Sequence, residues 1–123
     1  MDLDCCEHAG QHYAVGPEHA PLMRTADDVI RLIEASGACG ARGVLLFADN
    51  LPPGFVDLST GVAGHVLLKL QMYRVRLAVV LPLETTPHSE HFAAMVREAN
   101  RGRDFHVGDT RAEAEAWLLN GET

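Results

Sequence analysis

Two short apolar runs constrain this fold more than any other feature of the chain. The first covers residues 43–48, Gly-Val-Leu-Leu-Phe-Ala, and is bounded by turn residues. The second covers 74–81, alternates at its start, is wholly apolar at its end and stops at Pro82. Such runs are typical of strands buried on both faces of a parallel sheet. With a helix between them, they predict a βαβ unit.

The intervening helix is predicted to follow Ser59 because apolar residues then recur at helical spacing. Its core face holds Val62, Ala63, Val66, Leu67 and Leu70. His65 and Lys69 lie four residues apart on the opposite face, which is expected to meet solvent.

Further helices and strands are predicted on either side of this unit. A capping-box start at Thr25 and the stops at Gly37 and Gly40 indicate a helix over 26–36. A third helix begins near Ser89, a short strand follows at 104–107, and Thr110 opens a last helix. The order predicts one α/β domain with a central, mostly parallel sheet of four to five strands and about four helices. Short extended pieces are predicted at 12–15 and 22–24. We expect a flexible leader over 1–12, the domain over 13–119 and a tail over 120–123.

Length and charge limit the classes of protein. The chain has 123 residues, 47% of them apolar, which suits one domain with a single core. Ten basic and seventeen acidic residues give a net charge of −7, which disfavours nucleic acid and anionic membrane surfaces as partners. The chain holds no apolar run of about 18 residues and begins with an acidic segment, so we expect a cytoplasmic protein without a membrane segment.

The cysteines are expected to be reduced thiols, since three of them at positions 5, 6 and 39 make no disulfide framework. Cys5, Cys6, His8 and His12 are zinc-ligand types, but their spacing matches no structural zinc site. His88 and His91 form at most a chance pair of ligands. We therefore expect neither a metal nor another cofactor.

The stretch 55–70 is where the sequence places function. It is predicted to run from an apolar strand end through a turn into the helix, with Asp57, Ser59 and Thr60 at the positive helix N-terminus. One interpretation is helix capping. The other is a switch, in which phosphorylation of Ser59 or Thr60 changes what a partner meets.

A ligand pocket at the carboxyl ends of the central strands is the alternative to a protein contact surface, and Asp49 and Asn50 are expected to line it with Asp57 and Ser59. Gly61 and Gly64 permit close approach of a ligand or backbone but form no P-loop. The chain lacks a Gly-x-Ser-x-Gly elbow, and no catalytic residue is predicted. The residues expected to bind a partner or ligand are Asp49, Asn50, Asp57, Ser59, Thr60, Gly61, Gly64, His65 and Lys69.

We favour a non-enzymatic regulatory or protein-binding domain that uses the loop 49–61 and the exposed face of the following helix. The alternative is a small enzyme or a ligand-binding protein. Exposed apolar side chains at Leu51, Phe55 and Met72 would support a homodimer. The basic concentration at Arg97, Arg101 and Arg103 fits a helix C-terminus or an anionic partner.

Several ordered motifs between residues 25 and 118 carry a family resemblance. They are Val-Leu-Leu-Phe at 44–47, Phe-Val-Asp-Leu-Ser-Thr-Gly-Val-Ala-Gly at 55–64, Tyr-Arg-Val-Arg-Leu-Ala at 73–78, Glu-Ala-Asn-Arg-Gly at 98–102 and Glu-Ala-Glu-Ala-Trp-Leu at 113–118. On these the chain resembles the bacterial domain of unknown function 4180 family. Where that family has a second Phe, a Glu and an Asn, this chain has Val56, His65 and Met72, and it has Leu81-Pro82 for Gly-Asp. Any activity that depends on those polar positions is expected to be altered here.

The same segment is similar, more distantly, to the sulfate-transporter and anti-sigma-antagonist (STAS) domain. That resemblance implies a STAS-like order of strands and helices around a Phe-x-Asp-Ser-Ser-Gly motif. It places Ser59 near the serine whose phosphorylation switches partner binding in that family. Leu58 and Thr60 depart from the Ser-Ser-Gly register.

Overall fold

Five strands form the sheet of this computed structural model, which describes residues 1–120, with no side-chain description at Asn120. The strands are β1 (Asp4–His8), β2 (Gln11–Val15), β3 (Gly43–Phe47), β4 (Arg76–Val80) and β5 (Phe105–Gly108). The helices are α1 (Val29–Ala38), α2 (Val62–Met72), α3 (Glu90–Ala99) and α4 (Arg111–Asn120). The predicted α/β domain and all four predicted helices are confirmed. Of the predicted tail, residues 121–123 lie outside the described residues.

The strands lie in the order in which they occur in the chain. β1 and β2 are antiparallel, whereas β2 to β5 are parallel, with Val44 opposite Leu77 and Val79 opposite Val107. Because right-handed crossovers that always advance in one direction return on the same side, α1, α2 and α3 share one face of the sheet. The predicted βαβ unit is β3, α2 and β4.

β3 is buried on both sides, as its continuous apolar run predicted. Val44 and Leu46 point into the main core beneath α1, α2 and α3. Leu45 and Phe47 point into a smaller core on the opposite face, which α4 covers with Ala114 and Leu118. The period of two along a strand thus fills two separate cores.

The predicted flexible leader over residues 1–12 is wrong from residue 4 onward, because residues 4–8 pair with residues 11–15 in an antiparallel hairpin. Ala9 and Gly10 both have positive φ, 52° and 83°, as a two-residue hairpin turn requires. A disulfide joins Cys5 on β1 to Cys39 after α1, so the expectation of three reduced thiols is also wrong. Cys6 is the free cysteine. The predicted strand at 12–15 is confirmed within β2, whereas 22–24 is not a strand.

The far edge of the sheet is closed by a side chain. Asn100, after α3, accepts from the Val107 N–H at 3.0 Å and donates to the Val107 carbonyl at 3.1 Å. The amide thereby pairs backbone groups that an edge strand otherwise leaves open. α1, α2 and α3 all finish near the amino ends of the strands that follow them.

Candidate functional site

The segment singled out by sequence lies before α2, but β3 does not lead into it. β3 ends at Phe47, and the loop that follows turns inward and buries Phe55. The Phe55 ring packs edge-on against Phe92, with the ring centroids 5.9 Å apart. The expected strand end at the start of the stretch 55–70 is therefore wrong. A single 3₁₀ turn at Leu58–Thr60 precedes Gly61, and α2 begins at Val62. The structure does place Asp57, Ser59 and Thr60 at the N-terminal side of α2.

Asp57 and Ser59 form a local, solvent-exposed hydrogen-bonded pair. The Asp57 carboxylate accepts from the Ser59 backbone N–H at 3.1 Å and from the Ser59 hydroxyl at 2.7 Å, both through Oδ1. This is the side-chain capping geometry expected for an aspartate at a turn. The Ser59 hydroxyl has its only hydrogen bond within residues 1–120 to this carboxylate, and it remains open to solvent.

Thr60 holds the turn together instead. Its Oγ1 lies 2.7 Å from the Gly54 carbonyl and 2.8 Å from the Asp57 carbonyl, and it accepts from the Val62 N–H at 3.2 Å. Gly54 has φ of 86°, and a Cβ there would come within 3.1 Å of the Thr60 hydroxyl. The hydroxyl at 60 is thus committed to backbone groups, one of them at the start of α2.

Ser89 ties this segment to α3, a role that sequence reasoning missed. Its hydroxyl accepts from the Phe92 N–H at 3.0 Å as the predicted N-cap and also from the Leu58 N–H at 3.1 Å. Its own N–H donates to the Val56 carbonyl at 3.0 Å. The N-cap preference at Ser89 is visible in the sequence, whereas the second bond depends on how the loop folds.

The solvent face of α2 carries apolar side chains. Leu68 and Met72 lie one turn apart, 58% and 62% exposed, and Tyr73 follows at 58%. Gly64 is exposed one turn before Leu68, and Lys69 is half-buried beside it. We call Gly64, Leu68, Met72 and Tyr73 the α2 outer face.

Other predicted binding residues are placed differently. Gly61 has φ of 78° and caps α2, and His65 contacts Asp27 at 3.4 Å. Of the apolar residues expected to support a homodimer, only Met72 is exposed, because Phe55 is buried and Leu51 is partly buried.

Asp49 and Asn50 follow β3, and only one of them meets solvent. Asn50 is fully buried: its Oδ1 accepts from the Phe47 N–H at 2.7 Å, and its Nδ2 donates to the Pro17 and Ala20 carbonyls at 2.7 and 2.8 Å. The side-chain amide is fully used in holding the loops together, which leaves it no donor for a ligand.

A cavity of about 330 Å³ does lie at the carboxyl ends of β3 and β4. It is lined by Glu18, His19, Phe47, Ala48, Asp49, Val80, Pro82, Asp109, Thr110 and Arg111. Asp57 and Ser59 are not among these residues. The four polar side chains expected in one pocket are therefore separated, and Asp49 alone faces it.

The perturbed titrations lie on the α4 face. A hydrogen bond of 2.6 Å to the Glu115 carboxylate, with burial, raises the pKa of Tyr13 to about 12. Burial lowers the pKa of His106, and the Glu113 carboxylate 3.6 Å away opposes that shift. His106 stacks on Trp117 with ring centroids 5.2 Å apart. These groups brace α4 against the sheet and share no cavity with Ser59.

Over the part of the chain that the structure describes, no group of three or more histidine, cysteine, aspartate and glutamate side chains can hold a metal ion. Cys5 is bonded to Cys39 and is therefore not available as a zinc ligand. Over the same residues, no helix has the length and apolarity to cross a bilayer.

Comparison with known families agrees with the resemblance seen in the motifs. The family model described as "Domain of unknown function (DUF4180)" matches residues 8–118, and the chain belongs to that family. The match begins in β1, so it includes strand β2 as well as the βαβ unit. No curated protein and no solved structure matches the chain.

Proposed function

We propose that this member of the family is a cytoplasmic, non-enzymatic regulatory domain of STAS-like type. It binds a protein partner through the loop 49–61 and the α2 outer face. The observation that supports this most is an exposed apolar helix face directly after an exposed serine. Leu68 and Met72 leave more than half of their surface exposed within residues 1–120, and exposed apolar patches rimmed by polar residues mark interaction sites.

The geometry favours Ser59 over Thr60 as the switch. The Thr60 hydroxyl hydrogen-bonds to two backbone carbonyls inside the turn. The exposed Ser59 hydroxyl hydrogen-bonds, within residues 1–120, only to the Asp57 side chain. A phosphate on Ser59 would remove that hydroxyl proton and add about −1.5 to −2 charges beside the Asp57 carboxylate. Repulsion would displace Asp57, which also caps the Ser59 N–H at 3.1 Å. The local turn and the charge in front of α2 would change together.

A quantitative pull-down from the bacterial host tests this proposal with four variants. We expect Ser59→Ala to retain the wild-type partner and Ser59→Asp to lose it or exchange it. Leu68→Asp should abolish its capture, because a charge in the centre of an apolar contact is costly to desolvate. Ile30→Asp is the matched control, since Ile30 is a 42% exposed apolar residue on α1.

The proposal fails if all four variants recover the same proteins in the same amounts. Mass spectrometry of the native protein must also find phosphate at Ser59 under some growth condition. If the recovered partner is a second copy of the chain, light scattering gives its stoichiometry, and the Leu68→Asp variant should be monomeric.

A small-ligand function at the carboxyl ends of the strands is the second candidate. It is favoured by the cavity of about 330 Å³, because open α/β sheets place ligands at that edge. Asp49, Asp109 and Arg111 would supply its polar contacts. Chemical-shift mapping with a mixed fragment set should then concentrate at these residues and vanish in Asp49→Ala. Shifts confined to α2 would contradict it.

A further inference from the structure

An apolar cleft lies between α2 and α3 at the amino ends of β4 and β5. The cleft has a volume of about 290 Å³. Its apolar walls are Leu67, Leu70, Val75, Met95, Ala99 and Phe105. A cavity near this size, lined mainly by apolar side chains, suits a small ligand body.

A group of arginines lies beside this cleft, and one of them, Arg103, also lines it. An adjoining cavity of about 310 Å³ is lined by Arg42, Arg74, Arg76 and Arg103, which we call the arginine rim. The two cavities share the lining residues Gln71, Val75, Arg103 and Asp104, so they lie next to each other. Four of the chain's ten basic residues thus gather at one place in a protein of net charge −7.

The rim is assembled from separate segments of the chain. Arg42 precedes β3, and Arg103 precedes β5. Arg74 lies between α2 and β4, and Arg76 is the first residue of β4. Arg76 is fixed: its guanidinium donates to the Arg103 carbonyl at 2.7 Å and lies 4.1 Å above the Trp117 ring. Arg42, Arg74 and Arg103 form no ion pair with a carboxylate of residues 1–120. Their positive charge is therefore uncompensated by direct contact.

Arg74 occupies a position that favours glycine. Its φ is 56°, and the Val75 N–H donates to the Leu70 carbonyl at 2.9 Å, so residue 74 is the left-handed residue that ends α2. A residue with a β-carbon is strained in that conformation. Such strain is concentrated at functional positions.

Two carboxylates lie near the cleft and set its polarity. Asp104 accepts from the Gln71 amide at 3.0 Å, and Glu98 lies 3.9 Å from Arg101. Asp104 lines both cavities and is the one carboxylate beside the four arginines of the second cavity. The cleft is therefore mainly apolar, and the arginine rim next to it has a positive balance of charge.

We propose that this cleft binds a small amphipathic anion, whose apolar body lies between α2 and α3 and whose carboxylate or phosphate head contacts Arg74 and Arg103. Guanidinium groups recognise both heads through paired, charge-assisted hydrogen bonds. The proposal is independent of the partner and the switch proposed above, because it uses neither Ser59 nor the α2 outer face.

Titration with single-headed probes tests the ligand class. Nonanoate and octyl phosphate carry the two heads on the same octyl chain, octanol has that chain with an uncharged hydroxyl, and acetate and inorganic phosphate have the heads alone. We expect saturable binding of at least one octyl anion by calorimetry, about tenfold or more tighter than octanol, acetate or phosphate. The fluorescence of Trp117, the chain's single tryptophan, should change on binding, because Arg76 connects its ring to the arginine rim. Binding of octanol, or of a bare head group, as tightly as the octyl anions would overturn the proposal, and so would no saturable binding.

Matched variants separate recognition from stability. Arg74→Gln and Arg103→Gln should each raise the Kd about tenfold, the usual effect of losing one charge-assisted contact. Arg97→Gln is the control, because Arg97 also lies near the C-terminus of α3, where a basic residue stabilises the helix, but does not line either cavity. Equal effects of Arg97→Gln and the rim variants would assign the arginines to helix stabilisation and refute the site.

A filled cleft gives a second readout. Ala99→Phe places a ring within the cleft, whereas Ala94→Phe adds the same ring to an exposed position of α3 outside it. The first should abolish octyl-anion binding and the second should preserve it, with circular dichroism confirming that both fold. If Ala99→Phe fails to fold, the rim variants alone decide the outcome.

Discussion

Replacing Asn50 with alanine tests whether the buried amide after β3 is structural, as its contacts indicate, or belongs to a binding site, as its position in the sequence predicted. The substitution removes one hydrogen bond from the Phe47 N–H and two to the Pro17 and Ala20 carbonyls. At about 1 kcal/mol for each bond, and more where a partner group stays buried without a replacement, the loss is about 3–5 kcal/mol. This is a large fraction of the roughly 5–15 kcal/mol typical of a domain.

Urea denaturation of Asn50→Ala should therefore show a lower midpoint at an unchanged slope. Asp49→Ala is the neighbouring control: its carboxylate is exposed and reaches His19 only at 4.0 Å, so the stability should change by about 0.5 kcal/mol or less. A loss below about 1 kcal/mol in Asn50→Ala would refute a structural role for these bonds.

The pH dependence of stability in Asn50→Asp gives a further test of this site. The new carboxylate would keep the acceptor for the Phe47 N–H but would face two carbonyl oxygens in a buried site. Burial and those oxygens favour its protonated form, so its pKa should rise on folding. The unfolded chain then binds fewer protons, and the stability of this variant should fall as pH rises above the ordinary aspartate range. Stability that instead improves with pH would contradict this arrangement.

Three further outcomes follow from local contacts. The pKa of Tyr13 is raised from 10.0 to about 12 in the folded protein, so its contribution to the free energy of unfolding is present below pH 10 and is lost as pH rises toward 12. Tyr13→Phe should therefore flatten the dependence of urea-measured stability on pH in that window. An unchanged pH dependence would contradict the Glu115 bond. Arg74→Gly should raise the thermal midpoint by relieving about 1 kcal/mol at φ 56°, whereas a fall would show that the arginine side chain stabilises the fold by more than the strain. Cys39→Ser should lower the free energy of unfolding by about 3–4 kcal/mol, because its disulfide closes a loop of 34 residues; reductant should lower the wild type equally and leave the variant unchanged.

The parts of the fold that were predictable from sequence are those whose burial leaves a periodic signal. β3 and β4 read as continuous apolar runs because both of their faces meet a core. β1 was missed because it is an edge strand, largely exposed on both faces, and therefore shows no alternation. Its turn uses Ala9 at φ 52°, where asparagine or glycine would have signalled a hairpin.

Contacts between segments far apart in the chain were not predictable. The Cys5–Cys39 bond depends on β1 lying beside β2 and near the end of α1, and no spacing rule encodes that order. The sequence predicts Asn50 in a pocket because polar residues after a strand often face a ligand. In the structure its amide turns inward to three backbone groups. Asp57, Ser59 and Thr60 were correctly placed at the start of α2 because capping is a local property.

The sequential strand order also determines why the two proposed sites lie apart. Each of α1, α2 and α3 begins near the carboxyl edge of the sheet and ends near its amino edge, since each follows one parallel strand and precedes the next. Helix N-termini favour anions and C-termini favour cations, so a phosphorylated Ser59 suits one edge and the arginine rim suits the other. α2 connects them over 11 residues, about 16 Å at 1.5 Å per residue. α3 is a second connection, because Ser89 at its start accepts from the Leu58 N–H and Met95 and Ala99 further along it line the cleft.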